Sequence, residues 1–153
     1  MKPPSSSDPI RALVLDASVL VSSVLGVKVR PELAVNARRF TLLAPEDAFA
    51  SARRHLPGLL EARGVDPADC LTGLTLLRPI VGSVPRSIYA PARAEAMERL
   101  GRGAARDWPV LALALILHCP VLTHDRHFHE AGVPTWTTDR VQLYLGNVGE
   151  MGC

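Results

Sequence analysis

The stretch Arg106 to Phe128, RDWPVLALALILHCPVLTHDRHF, constrains the chain more than any other. Val110 to His118 is apolar on nearly every helical face, so it must be buried on several sides. Cys119 and Pro120 break that helix, and Val121 to Thr123 reads as a short buried strand. A buried helix feeding a buried strand is the grammar of a parallel sheet covered on both faces. The same stretch places Asp107 at the head of the helix and Asp125 just past the strand. A third carboxylate, Asp16, ends the apolar run that starts at Arg11. In parallel α/β folds ligands bind in the crevice outside the strand ends. Three acids delivered to such an edge describe a site better than a core, although Asp16 also suits the N-cap of the following helix.

The remaining chain fits the pattern. Val19 to Leu25 reads as a helix stopped by Gly26, Glu32 to Arg39 as a helix opened by Pro31, and Thr41 to Ala44 as a second strand. A helical run from Pro45 to Arg63 carries Glu46 and Asp47 in its first turn, and Pro57 is expected to kink or divide it. Asp66, Pro67 and Asp69 start a helix over Ala68 to Leu77, Pro79 ends it, and Ile80 to Val84 is a strand. Pro91 opens a helix over Ala92 to Leu100. Pro134 to Thr137 reads as a last strand, and Thr138 caps a closing helix to Leu145. The expected organisation is a flexible leader over 1–9, one α/β domain over 10–146, and a tail over 147–153.

Composition narrows the function classes. With 153 residues and 48% hydrophobic content, one domain can bury a core without staples. The formal charge of +2 permits a nucleic-acid partner without demanding one. Cys70, Cys119 and Cys153 are widely spaced and form no CxxC pair, which argues against a disulfide framework or a structural zinc. The longest apolar stretch is far short of the roughly 20 residues that span a bilayer. The expectation is a cytoplasmic protein with no membrane partner. Clustered carboxylates without a His and Cys ligand set suit Mg²⁺ or Mn²⁺. Such an ion can activate a water and clamp a phosphodiester. The histidines 124, 127 and 129 could bind zinc or nickel or supply a general acid or base, but they read first as ordinary residues of a polar surface loop. An aspartyl phosphotransfer enzyme would carry a second acid where Ser18 stands, and no GxGxxG follows the first strand to support dinucleotide binding.

The order LVLDASVLVSSVLG, LLAPEDAFASARRHLPGLL, RDWPVLALAL, VLTHDRHF and WTTD resembles a PIN domain over roughly residues 11 to 145. The resemblance implies a parallel sheet between helices and a metal-dependent ribonuclease, often the VapC-like toxin of a toxin–antitoxin pair. It implies Asp16, Asp107 and Asp125 as metal ligands and catalytic acids. A glutamate is usual about six residues after the proline that ends the second strand, and here Ser51 holds that place. Asp47, one turn earlier on the same helical face, is the candidate replacement. A second acid often follows in the TxD loop, where this chain has His127. Arg53, Arg54, Arg102 and Arg106 are candidates for gripping RNA phosphates, while Trp108 reads as a core anchor. An antitoxin and a second copy of the chain are the expected protein partners. A PIN fold that has lost catalysis and serves as a binding or scaffold protein is the alternative.

Overall fold

The computed structural model describes residues 12–25, 37, 41–66, 68–123, 128 and 131–136. Five strands form one sheet: β1 (Ala12–Leu15), β2 (Thr41–Pro45), β3 (Gly82–Val84), β4 (Val121–Leu122) and β5 (Thr135–Trp136). Their order is β3-β2-β1-β4-β5, and every neighbouring pair is parallel. β1 is central, and all four of its residues are buried. That is what an unbroken ALVL run predicts for a strand covered on both faces.

The helices are α1 (Ala17–Leu25), α2 (Glu46–Ala62), α3 (Asp69–Leu77), α4 (Arg86–Tyr89), α5 (Arg93–Leu100) and α6 (Trp108–Leu117). The first three pack on one another, and α6 packs against α4 and α5 and lies along β1 and β2. The sheet is thus sandwiched between helices, as the sequence predicts. Residues 108 to 114 of α6 are all buried. Full burial of each large aliphatic side chain contributes roughly 1.5–3 kcal/mol, so α6 anchors the core.

Several boundaries depart from the sequence reading, each for a local reason. α2 runs unbroken through Pro57. The proline removes only the amide that would reach the Arg53 carbonyl on the helix's exposed side, while buried Leu56 and Leu60 hold both flanks. β3 is shorter than Ile80 to Val84 because the amides of Ile80 and Val81 both turn back to the Leu77 carbonyl, at 2.9 and 2.7 Å. A short helix, α4, precedes the one expected after Pro91, since Pro85 in extended backbone acts as its N-cap. Pro91 lies in a 3-10 turn, Ala90–Ala92, leading into α5. α6 ends one residue before His118, which takes a left-handed conformation at φ 53°. The Cys119 amide then closes back on the Ala114 carbonyl at 3.2 Å, a Schellman-type stop. The expected helix over Thr138 to Leu145, the leader and the tail lie outside the described residues, as does all of the expected helix over Glu32 to Arg39 except Ala37.

Candidate active site

The chain runs from β1 outward to β2 and β3 on one side, then to β4 and β5 on the other. The strand order therefore reverses between β1 and β4, a topological switch point where α/β sheets bind ligands. Asp16 ends β1 at that point and is 7% exposed. Its Oδ1 accepts the Ser18 hydroxyl at 2.5 Å and the Val19 amide at 3.1 Å, and its Oδ2 accepts the Thr123 hydroxyl just past β4. The Val19 bond makes Asp16 the N-cap of α1, the structural one of the two readings its sequence position offers. The Thr123 bond ties the two strands together across the switch point.

Asp16 and Asp107 line one cleft of about 630 Å³ together with Ser18, Asp47, Ser51 and Trp108. Asp107 enters from the 3-10 turn Arg102–Asp107 that leads into α6, without making a side-chain cap. Asp47 and Ser51 come from successive turns of α2, the spacing that puts them on one face. The Asp47 carboxylate is partly engaged: Tyr89 donates its hydroxyl to Oδ2 at 2.8 Å, and Arg86 Nε lies 3.8 Å from the same oxygen. Burial, then the bond to Asp47, pushes the Tyr89 phenol well above its usual range, so it stays a donor. Trp108 is buried with its ring 5.7 Å from that of Tyr89, a core anchor as expected.

Of the arginines expected to meet phosphate, Arg54 and Arg106 line the cleft, whereas Arg53 and Arg102 are not among its lining residues. Two further basic groups line it that the sequence reading passed over: Arg86 and His55. Arg86 directly follows Pro85 at the end of β3, and the strand-end logic that singles out Asp16 would have found it. His55 Nδ1 lies 2.7 Å from the Ser51 carbonyl. A carbonyl only accepts, so Nδ1 is the donor in this contact.

Asp125 and the histidines 124, 127 and 129 lie outside the described residues. Among the described residues no three His, Cys, Asp or Glu side chains come together closely enough to hold one ion. Asp16 and Asp107 are hard oxygen donors on one cleft, which fits Mg²⁺ or Mn²⁺ in kind. A complete set requires at least one more ligand.

A parallel five-stranded sheet between helices, with two aspartates and several basic side chains lining a cleft at its switch point, defines an α/β domain with a candidate ligand cleft at its strand ends. The particular family follows from sequence: the family model for the PIN domain matches residues 14–146, and the chain belongs to that family. Among solved structures, VapBC2 from Rickettsia felis bound to a DNA fragment from their promoter aligns with a TM-score of 0.61 at 11% identity. That alignment covers 82% of this chain and 98% of that one. VapBC-1 from nontypeable Haemophilus influenzae aligns with a TM-score of 0.58 at 15% identity, covering 84% and 98%. At these identities the likeness is one of fold. A search of curated proteins by sequence returns no match. Among the described residues no helix is long and apolar enough to cross a membrane.

Proposed function

We propose that the chain is a divalent-metal-dependent PIN ribonuclease whose working cleft is the one bounded by Asp16 and Asp107. The observation that carries this reading is the delivery of both aspartates, by β1 and by the entry to α6, to one cleft that Arg54 and Arg106 also line. Asp16, Asp107 and Asp125 hold the ion, Mg²⁺ or Mn²⁺. When bound, such an ion lowers the pKa of a coordinated water and offsets the charge of the phosphodiester during in-line displacement. Ser18 and Thr123 orient the Asp16 carboxylate through their hydroxyls. Arg54 and Arg106 hold the phosphates on either flank, since guanidinium groups match phosphate geometry bidentately. Arg53 and Arg102, nearby in sequence, extend that grip along the strand. Asp47, one turn before Ser51 on α2, adds a carboxylate to the same cleft wall.

Two partners belong to the same reading. The VapBC assemblies among the structural neighbours support a toxin role for this chain, with an antitoxin that silences it, and a homodimer is the proposed oligomer. The cytoplasm is the proposed compartment. Asp16→Asn is the sharp test of catalysis. Asparagine caps a helix as well as aspartate does and can still accept the Val19 amide, so the fold should survive. RNA cleavage in Mn²⁺ or Mg²⁺ should vanish in this variant, as it should in EDTA for the wild type. Cleavage that persists in Asp16→Asn would remove the assignment. A folded wild type that never cleaves RNA would favour the scaffold alternative, in which Ser51 marks a lost ligand.

A further inference from the structure

We infer that Arg86 is a phosphate-gripping residue of the cleft and that Asp47 is its positioning residue, so that an RNA strand is held at the end of β3 as well as beside Asp16 and Asp107. The inference rests on the reading that this cleft receives RNA.

Arg86 is fixed at three points. Its backbone amide donates to Glu46 Oε1 at 2.8 Å, which ties the start of α4 to the first turn of α2. Its Nε lies 3.8 Å from Asp47 Oδ2. Its guanidinium carbon stands 5.2 Å from the centroid of the Trp108 ring, within cation–π range. Asp47 is held in turn by the Tyr89 hydroxyl. Tyr89 and Trp108 are both buried, so the chain of contacts is rooted in the core. The Arg86 guanidinium approaches Asp47 through Nε, and the side chain is about half exposed on the cleft wall. Arg99 makes the contrast. Its two Nη groups are spent on the Ala131 carbonyl and on Glu95. A guanidinium whose Nε side is anchored and whose Nη pair opens on a cleft is arranged to receive the oxygens of a phosphate.

The arrangement also explains a pair of residues that a metal role leaves unaccounted for. An oxygen of Asp47 that already serves Tyr89 and Arg86 is a poor choice of ligand, while a hydroxyl donor on one side and a guanidinium on the other are what an orienting carboxylate needs. Phosphate contacts of this sort set register along the strand and carry no base specificity.

The test is binding of a short single-stranded RNA oligonucleotide in EDTA, where cleavage is off, followed by fluorescence anisotropy across a salt series. Arg86→Ala should weaken binding about tenfold, the lower end for a hydrogen bond to a charged group. It should also reduce the slope of log affinity against log salt by about 0.7, the share of one phosphate on a single strand. Asp47→Asn separates the two roles of that residue by sign. Removing a carboxylate from a cleft that takes a polyanion should tighten binding on electrostatic grounds alone. Loss of positioning should instead weaken it, by about threefold for a half-exposed pair. Tyr89→Phe, which keeps the charge and the ring, should weaken binding in the same direction and guards against a folding defect in Asp47→Asn. Arg63→Ala, at the far end of α2, is the control and should bind like the wild type.

Tighter binding by Asp47→Asn, or an unchanged salt slope in Arg86→Ala, would overturn the inference. So would a wild type that fails to bind RNA in EDTA at low salt. A wild type that binds with the predicted slopes but does not cleave in Mn²⁺ supports the role of Arg86 and removes the nuclease reading, so the two failures are distinguishable.

Discussion

At the scale of single residues, the chain places several polar groups in two roles at once. Asp16 caps α1 and presents a carboxylate to the cleft, so cap and site could be read from the same letter but not separated by it. Cys119 shows the opposite case, a polar atom with only a packing role. Burial pushes its thiol up to about 11 from 9.0, so it remains protonated and unreactive at neutral pH. Because the folded-state value is raised, the stability tied to the neutral thiol is full below the unfolded value and is lost as pH climbs towards 11. Thermal melts between pH 9 and 11 should therefore fall more steeply for the wild type than for Cys119→Val, with the two curves parallel near neutrality. Equal slopes would show that the thiol does not titrate differently on unfolding.

At the scale of elements, strands and helices were legible wherever hydrophobic pattern and chain punctuation agreed. β1, β2, α2 and α6 fall within a residue or two of expectation for that reason. The departures fall where a proline sits beside buried residues, where a segment is too short to show a period, or where one residue adopts an uncommon backbone conformation. Pro57 sits inside α2 because the core grips the residues on either side. α4 was missed because four residues carry no periodicity, although Pro85 before it is a good extended N-cap. The apolar pattern extends the helix to His118, whereas His118 adopts the left-handed conformation that ends α6. A left-handed backbone costs an L-residue about 1–2 kcal/mol, part of which glycine returns as entropy in the unfolded chain. His118→Gly should accordingly stabilise the protein by up to about 1 kcal/mol, seen as a higher urea midpoint at unchanged slope. A lower midpoint would mean that the imidazole makes a contact worth more than the backbone relief.

At the scale of the whole molecule, the candidate cleft follows from topology. Strand order reverses between β1 and β4, the Thr123 hydroxyl bridges that gap to Asp16, and the entry to α6 adds Asp107. Sequence alone could name these acids because each stands at the end of an apolar run. It could not show that Arg86, 70 residues on from Asp16, shares their cleft, since that depends on β3 pairing beside β2. Nor could it show which oxygen of Asp47 is engaged, because its partner Tyr89 is 42 residues away. The central claim is that this cleft holds a divalent ion on Asp16 and its neighbours. Its most direct test is calorimetric titration of Mn²⁺ into the wild type and into Asp16→Asn at equal concentration, with circular dichroism showing both folded. The account predicts saturable binding by the wild type that the variant loses. Equal binding by the two proteins, or no binding by a folded wild type, would contradict it.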